Sequence, residues 1–238
     1  MKFLELVCIE NETTDEQNEV MSAAVLPWVE ETTARGVNIT GKPLAPASTA
    51  KTVRVRNGET LISDGPFADT KEFIGGFDLL ECGDFEEAIE VASKHPVAWF
   101  NAIELRPLID AHDVPSHIDH AKLQQMLLVC IDGAAEAPEV EAQIGLDCQA
   151  WVRETEQAGV RVAGAPVVHA REARTVRVRD GRTIVSDGPF VETEEFLGGF
   201  DLLSCETFEE AVGWAAKHPI ARFHKIEVRQ FVDLGHRS

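Results

Sequence analysis

Asp64 and Asp187 each close a run of alternating residues and stand just before Gly-Pro-Phe. A carboxylate at a strand end, ahead of a glycine turn and facing a cleft, has the placement of a general base or of a polar ligand's anchor. The competing role is a turn cap paired across the hairpin with Lys51 or Arg174. Glu72 and Glu195 offer a second carboxylate for a ligand, or else the far member of a capping box. Arg54, Arg56, Arg177 and Arg179 form a basic stripe in an acidic chain. Guanidinium groups in such a row suit two-point capture of a carboxylate or phosphate on a small anionic ligand. The same stripe also suits a solvated hairpin face paired with Glu59 and its neighbours. His95 and His218 end helices, where an imidazolium meets the negative end of the helix dipole. His112, His117 and His120 have a spacing that matches no metal motif, so no metal and no cofactor is expected.

These residues occur as pairs because the chain repeats itself. Lys51–Phe67 recurs as Arg174–Phe190, so that Asp64 returns as Asp187, an offset of 123 residues. The match continues through Thr70–Leu80 and Thr193–Leu203. Such a period is too long for a solenoid and suits two copies of one small domain. The boundaries read as 1–107 for the first copy, 108–122 for a Pro-, His- and Asp-containing linker, and 123–238 for the second.

Within each copy the elements follow in a fixed order. Residues 2–9 read as a strand. Thr13 to Glu16 is a helix start, and Gly36 is the stop. Pro27 falls inside this helix and is expected to kink or split it. Val37 to Leu44 is a short strand. Asn57-Gly58 and Asp180-Gly181 are hairpin turns of type I′, which need positive φ at both central residues. A two-residue loop pairs Arg56 with Glu59 and, further out, Lys51 with Asp64. Asp69-x-x-Glu72 and Glu192-x-x-Glu195 suggest one helical turn. Ile74 to Leu80 is a buried strand, and Gly75-Gly76 within it suggests a bulge or a close backbone approach. Asp84 caps a second helix that ends at His95-Pro96, and Trp99 to Arg106 is the last strand. The first helices of the two copies share little sequence, whereas the hairpins are nearly identical. The order β-α-β-(hairpin)-β-α-β suits an antiparallel sheet with helices on one face, a ferredoxin-like α+β domain.

Composition narrows the partners. The 238 residues carry a formal net charge of −19, which repels phosphate backbones and anionic bilayers and argues against nucleic acid or membrane as direct partners. No apolar run reaches the roughly 18 residues of a membrane span. Glu5 comes too early for a signal peptide. The five cysteines have no Cys-x-x-Cys spacing and read as buried free thiols of a cytoplasmic protein.

The repeated pattern Val-Arg-x-Gly-x-x-x-x-Ser-Asp-Gly-Pro-Phe-x-x-Thr-x-Glu, followed by Gly-Gly-Phe, resembles the DGPF group of YCII-related proteins. The resemblance covers roughly 2–107 and 125–230. It implies the dimeric α+β barrel superfamily, here as a covalent pseudo-dimer whose two ferredoxin-like units pack sheet against sheet. The full chain is then a monomeric pseudo-dimer or a homodimer. The resemblance also implies a link to sigma-factor regulation, with a sigma factor as protein partner. The wider group is associated with a His–Asp pair. At the matching positions this chain has Val25 and Cys148, then Ala45 and Val168, so that pair is absent. Two functions follow as expectations. One is a small-ligand-binding or accessory protein. The other is a lyase- or isomerase-type enzyme with Asp64 or Asp187 as base in an inter-domain cleft.

Overall fold

The structure is a computed structural model that describes residues 1–67, 72–132, 136–191 and 195–232. The helical turn expected around Asp69–Glu72 and Glu192–Glu195 falls largely on 68–71 and 192–194, outside the described residues. The first copy runs β1 (Lys2–Ile9), α1 (Asp15–Ala34), β2 (Asn38–Pro43), β3 (Lys51–Arg56), β4 (Glu59–Asp64), β5 (Phe73–Glu81), α2 (Phe85–Lys94) and β6 (Ala102–Pro107). The second runs β7 (Gln125–Ile131), α3 (Pro138–Gln157), β8 (Arg161–Pro166), β9 (Arg174–Arg179), β10 (Arg182–Asp187), β11 (Phe196–Leu203), α4 (Phe208–Lys217) and β12 (Lys225–Gln230). The class is α+β. The strands form two antiparallel six-stranded sheets, and neither sheet closes on itself.

The local signals act through identifiable contacts. Thr14 caps α1 in a capping box with Gln17, and Gly36 follows the helix at φ 72°. Pro27 does not split α1, which runs unbroken from Asp15 to Ala34. The next residue explains why: Trp28 is buried, and its indole donates to the Val91 carbonyl at 3.2 Å, so tertiary anchoring outweighs the proline's local cost. The hairpin register is as expected, with Lys51 opposite Asp64 and Arg56 opposite Glu59, and Asn57 and Gly58 both at positive φ. Gly75 is the extra residue of a bulge between Val7 and Cys8, and a Cβ there would sit 2.9 Å from the Ile9 side chain. The last strand starts later than expected, because Pro96–Trp99 forms a 3-10 turn before β6. The segment 108–122 is more than a tether, since Val114 and Ile118 are buried.

The sheets do not respect the repeat boundaries. One sheet has the order β10-β9-β6-β1-β5-β2 and the other β4-β3-β12-β7-β11-β8. Each hairpin therefore extends the sheet built by the other copy. β9 pairs with β6 through Ile103↔Val176, and β3 pairs with β12 through Ile226↔Val53. The compact units are accordingly discontinuous. Unit 1 comprises Met1–Pro43, Thr70–Ile118 and Val167–Glu192, and unit 2 comprises Leu44–Asp69, Asp119–Pro166 and Thr193–Ser238.

In unit 1 the helix-covered face of the sheet buries Phe3, Leu80, Ile103, Leu105 and Val176 against Trp28, Ala88, Val91 and Ala92. In unit 2 it buries Leu127, Leu203, Ile226, Val228 and Val53 against Trp151, Ala211 and Ala215. Residues of opposite parity, among them Leu4, Leu6, Leu79, Met126, Leu128 and Leu202, are buried too. Both faces of these central strands are therefore dry, which is unusual for a sheet carrying helices on one side.

Candidate ligand-binding site

The DGPF turn is held by a buried ion pair. In unit 1, Arg106 Nη1 lies 3.0 Å from Glu104 Oε1, and Glu104 Oε2 accepts the Phe190 N–H at 3.0 Å. In unit 2, Arg229 Nη1 lies 3.0 Å from Glu227 Oε1, and Glu227 Oε2 accepts the Phe67 N–H at 2.9 Å. Thr175 and Thr52 hydroxyls donate to the Gly188 and Gly65 carbonyls, each at 2.9 Å. A buried charge is tolerated only when it is paired and hydrogen-bonded in this way. Burial pushes Glu227 above the ordinary carboxylate range, while Arg229 pulls it back. Sequence reading missed these pairs. Their signal was Ile-Glu-Leu-Arg at 103–106 and Ile-Glu-Val-Arg at 226–229, opposite charges two apart that alternate with apolar residues.

The nominated aspartates stand elsewhere. The Asp64 side chain is 83% exposed and paired with Lys51; that of Asp187 is 85% exposed, with its Oδ1 3.0 Å from Arg174 Nε. Both sit on hairpin strands β4 and β10 at the outer ends of the sheet orders. Arg56 donates to the carbonyls of Ala221, Arg222 and Phe223 at 2.9–3.0 Å. Arg179 does the same for Ala98 at 2.9 Å and Asn101 at 3.1 Å. These two arginines cap the 3-10 turns after α4 and α2, so much of the basic stripe serves to dock the hairpins. His95 and His218 are not imidazolium caps. Their Nδ1 atoms accept the N–H of Val97 and Ile220, each at 3.2 Å, and burial drives both rings down to about 3, which keeps them neutral.

Two other nominated residues do meet. At the strand ends of unit 2, Arg54 and Glu195 gather around Asp132 and Lys225. Lys225 stands opposite Cys130 on β7, with its side chain 5% exposed and its ammonium on Glu195 Oε1. Asp132 Oδ2 lies 3.5 Å from both Lys225 Nζ and Arg54 Nη2. His224 Nδ1 lies 2.8 Å from the Asp132 carbonyl oxygen. The two carboxylates keep side-chain exposures of 21% and 28%, so solvent reaches this cluster. Cys130 beneath it is buried, and burial with the surrounding acids raises its thiol well above the usual range.

The matching corner of unit 1 is built differently. Arg177 grips Glu10 with two short contacts, Nε–Oε1 at 2.8 Å and Nη2–Oε2 at 2.6 Å. That hydrogen bonding pulls Glu10 below its ordinary range. Asn101 stands where unit 2 has His224, and its Oδ1 accepts the N–H groups of Glu10 and Asn11 at 3.0 and 2.9 Å. Ala102 replaces Lys225. Glu72 lies in unit 1 without a lysine at that position.

The model of the YCII-related domain matches residues 1–112 and again 125–234. The chain belongs to the YCII-related family. Two matches in one chain make this YCII-related protein a tandem duplication. An uncharacterized protein of Rhizobium meliloti (strain 1021) is 47% identical over 69 residues, which is 27% of this chain and 54% of that protein. The chain thus spans about half the length of the curated relative it matches. No described helix of this YCII-related protein is long and apolar enough to cross a membrane. Among the described residues, the linker histidines gather into no three-ligand group; Glu5, Asp78 and His95 are the residues that do.

Proposed function

We propose that this YCII-related chain is a small-ligand-binding or accessory protein whose ligand is a small anion taken at the strand-end cluster of unit 2. One observation carries the reading. Arg54 and Lys225 each stand 3.5 Å from the same Asp132 oxygen, longer than a charge-assisted hydrogen bond, whereas Arg177 closes on Glu10 at 2.6 Å. A ligand carboxylate or phosphate that displaces Asp132 gains two short contacts in unit 2 and none in unit 1. The partly exposed carboxylates give it a way in.

The wider picture is part of the same proposal. Five free thiols, all buried except the half-buried Cys148, support residence in the cytoplasm. The family resemblance implies an intramolecular α+β barrel as the arrangement of the two sheets. A sigma factor is the protein partner that the family resemblance implies.

Native mass spectrometry of the protein taken gently from its own host tests the proposal. A retained small anion that is lost in Lys225→Met and kept in Arg177→Met supports it. Equal retention by the two variants rejects this site. A co-purifying sigma factor supports the accessory role, and the mass reports whether one chain or two form the particle. The enzyme reading keeps Asp64 or Asp187 as base. It requires that Asp64→Asn abolish turnover of the retained molecule while leaving the fold intact.

A further inference from the structure

Glu5 and Asp78 lie directly opposite each other in the β1–β5 ladder, on the helix-covered face of unit 1, and both are buried. Among the described residues, few charged or titratable groups face them. Asn38 on β2 donates its amide to Asp78 Oδ1 at 3.2 Å. His95, from the turn after α2, places Nε2 3.8 Å from Asp78 Oδ2. Cys82, just beyond β5, has its thiol pushed up to about 12 by burial and then by nearby acids, Glu5 among them. β6 presents Leu105 opposite Glu5, α1 contributes Trp28 edge-on to His95, and α2 contributes Ala88, Val91 and Ala92. Among the described residues, no cation neutralises the pair and both Glu5 carboxyl oxygens lack a hydrogen-bond partner.

Two ionised carboxylates cannot sit side by side in a dry core. One of them must carry a proton or bind a cation. The His95 ring argues against a metal ion. Its Nδ1 accepts the Val97 N–H, so a neutral ring carries its proton on Nε2 and offers the pair no lone pair. A protonated Glu5, in contrast, has an O–H to give to Asp78. We propose that Glu5 and Asp78 hold a proton in common at neutral pH, and that this makes unit 1 a proton-responsive half of the molecule. Deprotonation breaks one carboxyl O–H bond, passes the proton to water or hydroxide, and leaves two like charges across one strand pair. The ladder between β1 and β5 then loosens.

Burial drives the titration up. Asp78 is raised to about 8, and Glu5 well above its ordinary range, first by burial and then by the Asp78 charge. Unit 2 serves as an internal control. Leu127 occupies the place of Glu5 opposite Asp201, and Arg161 occupies that of Asn38, with its Nε 2.7 Å from Asp201 Oδ1.

The test is amide hydrogen exchange of the full chain as a function of pH, corrected for intrinsic exchange, with infrared detection of a protonated carboxyl. In the native protein above about pH 6 the opening of β1 and β5 should rise by up to about tenfold per pH unit through the titration, while β7 and β11 stay flat. Glu5→Leu combined with Asp78→Leu should abolish both that rise and the carboxyl band, because burial alone keeps Asp78 raised once Glu5 is gone. Glu5→Gln with Asp78→Asn, which keeps the shape and cannot ionise, serves if the leucine variant fails to fold. Equal pH profiles for native and variant protein would overturn the proposal. So would a divalent metal ion retained one to one by the native chain and lost on substitution.

Discussion

The two copies solve one problem in opposite ways. Each places an aspartate on the helix-covered face of its sheet, Asp78 and Asp201, beside a neutral histidine that meets a tryptophan edge-on. In unit 2 the charge is met by Arg161, which reaches Asp201 at 2.7 Å and Glu156 at 3.3 Å. In unit 1 Asn38 stands in place of that arginine, and a second acid, Glu5, faces the first. Burial still raises Asp201, to about 6, but its cation holds it below the 8 of Asp78. A duplicated fold thus retains a costly buried group while exchanging an ion pair for a proton as the means of neutralising it.

Substitutions at the two neutralising positions should separate these solutions most widely. Arg161→Leu strands a buried carboxylate and should cost about 3–5 kcal/mol, read by chemical denaturation. Asn38→Leu removes one neutral hydrogen bond and should cost about 1 kcal/mol. If the two costs are equal, Arg161 is not the counter-ion that distinguishes the copies. The glycines beside the aspartates come next. A Cβ on Gly41 would lie 1.9 Å from Asp78 Oδ1, and one on Gly164 would lie 2.2 Å from Asp201 Oδ1. Gly41→Ala and Gly164→Ala should each destabilise by up to about 3 kcal/mol, with thermal unfolding as the readout.

The pH response sharpens the comparison within one window. Both aspartates are raised in the folded state, so each contributes stability that is full below the unfolded pKa and is lost as pH rises through the folded value. For Asp201 that loss is complete near 6, whereas for Asp78 it continues to about 8. Between these values unit 1 alone should weaken, by up to about 3 kcal/mol for a single site, and exchange protection resolved by unit checks this. On the acid side the units should behave alike. His95 and His218 are both lowered to about 3, so the stability of keeping them neutral is present above about 6.5 and is lost as pH falls toward 3. The smallest effect belongs to the hairpin aspartates. Asp64→Asn and Asp187→Asn should each change stability by less than about 1 kcal/mol, because exposed ion pairs contribute little.

The sequence made much of this scaffold readable, for local reasons. The Asn-Gly and Asp-Gly turns set the hairpin register, Gly75 marks a bulge, and Thr14 and Asp84 are caps. What it could not show is which sheet a hairpin joins. β6 and β12 present nearly the same edge, Ile-Glu-Leu-Arg and Ile-Glu-Val-Arg, so either hairpin fits either edge by sequence. The arginine stripe was legible as charge but not as caps on main-chain carbonyls, since those acceptors carry no side-chain signature. Lys225 and Asp132 went unread because they lie apart along the chain and meet only where β7 and β12 end. Glu5 looked like the polar member of an alternating strand. Its burial depends on helices covering a face that the pattern assigns to water.

The exchanged hairpins also bear on how the chain comes to exist. In the finished fold the outer edge of β6 is filled by β9, residues 174–179, made long after 1–107. Until then that edge is open to the first copy's own hairpin or to another chain, and the second course invites association. In this fold neither copy's hairpin completes its own sheet. Separately expressed halves should each pair with a second half, like or unlike, to fill the vacant edge. A single-copy ancestor that dimerised by trading hairpins would become this chain through one in-frame duplication, with a linker replacing the chance of meeting.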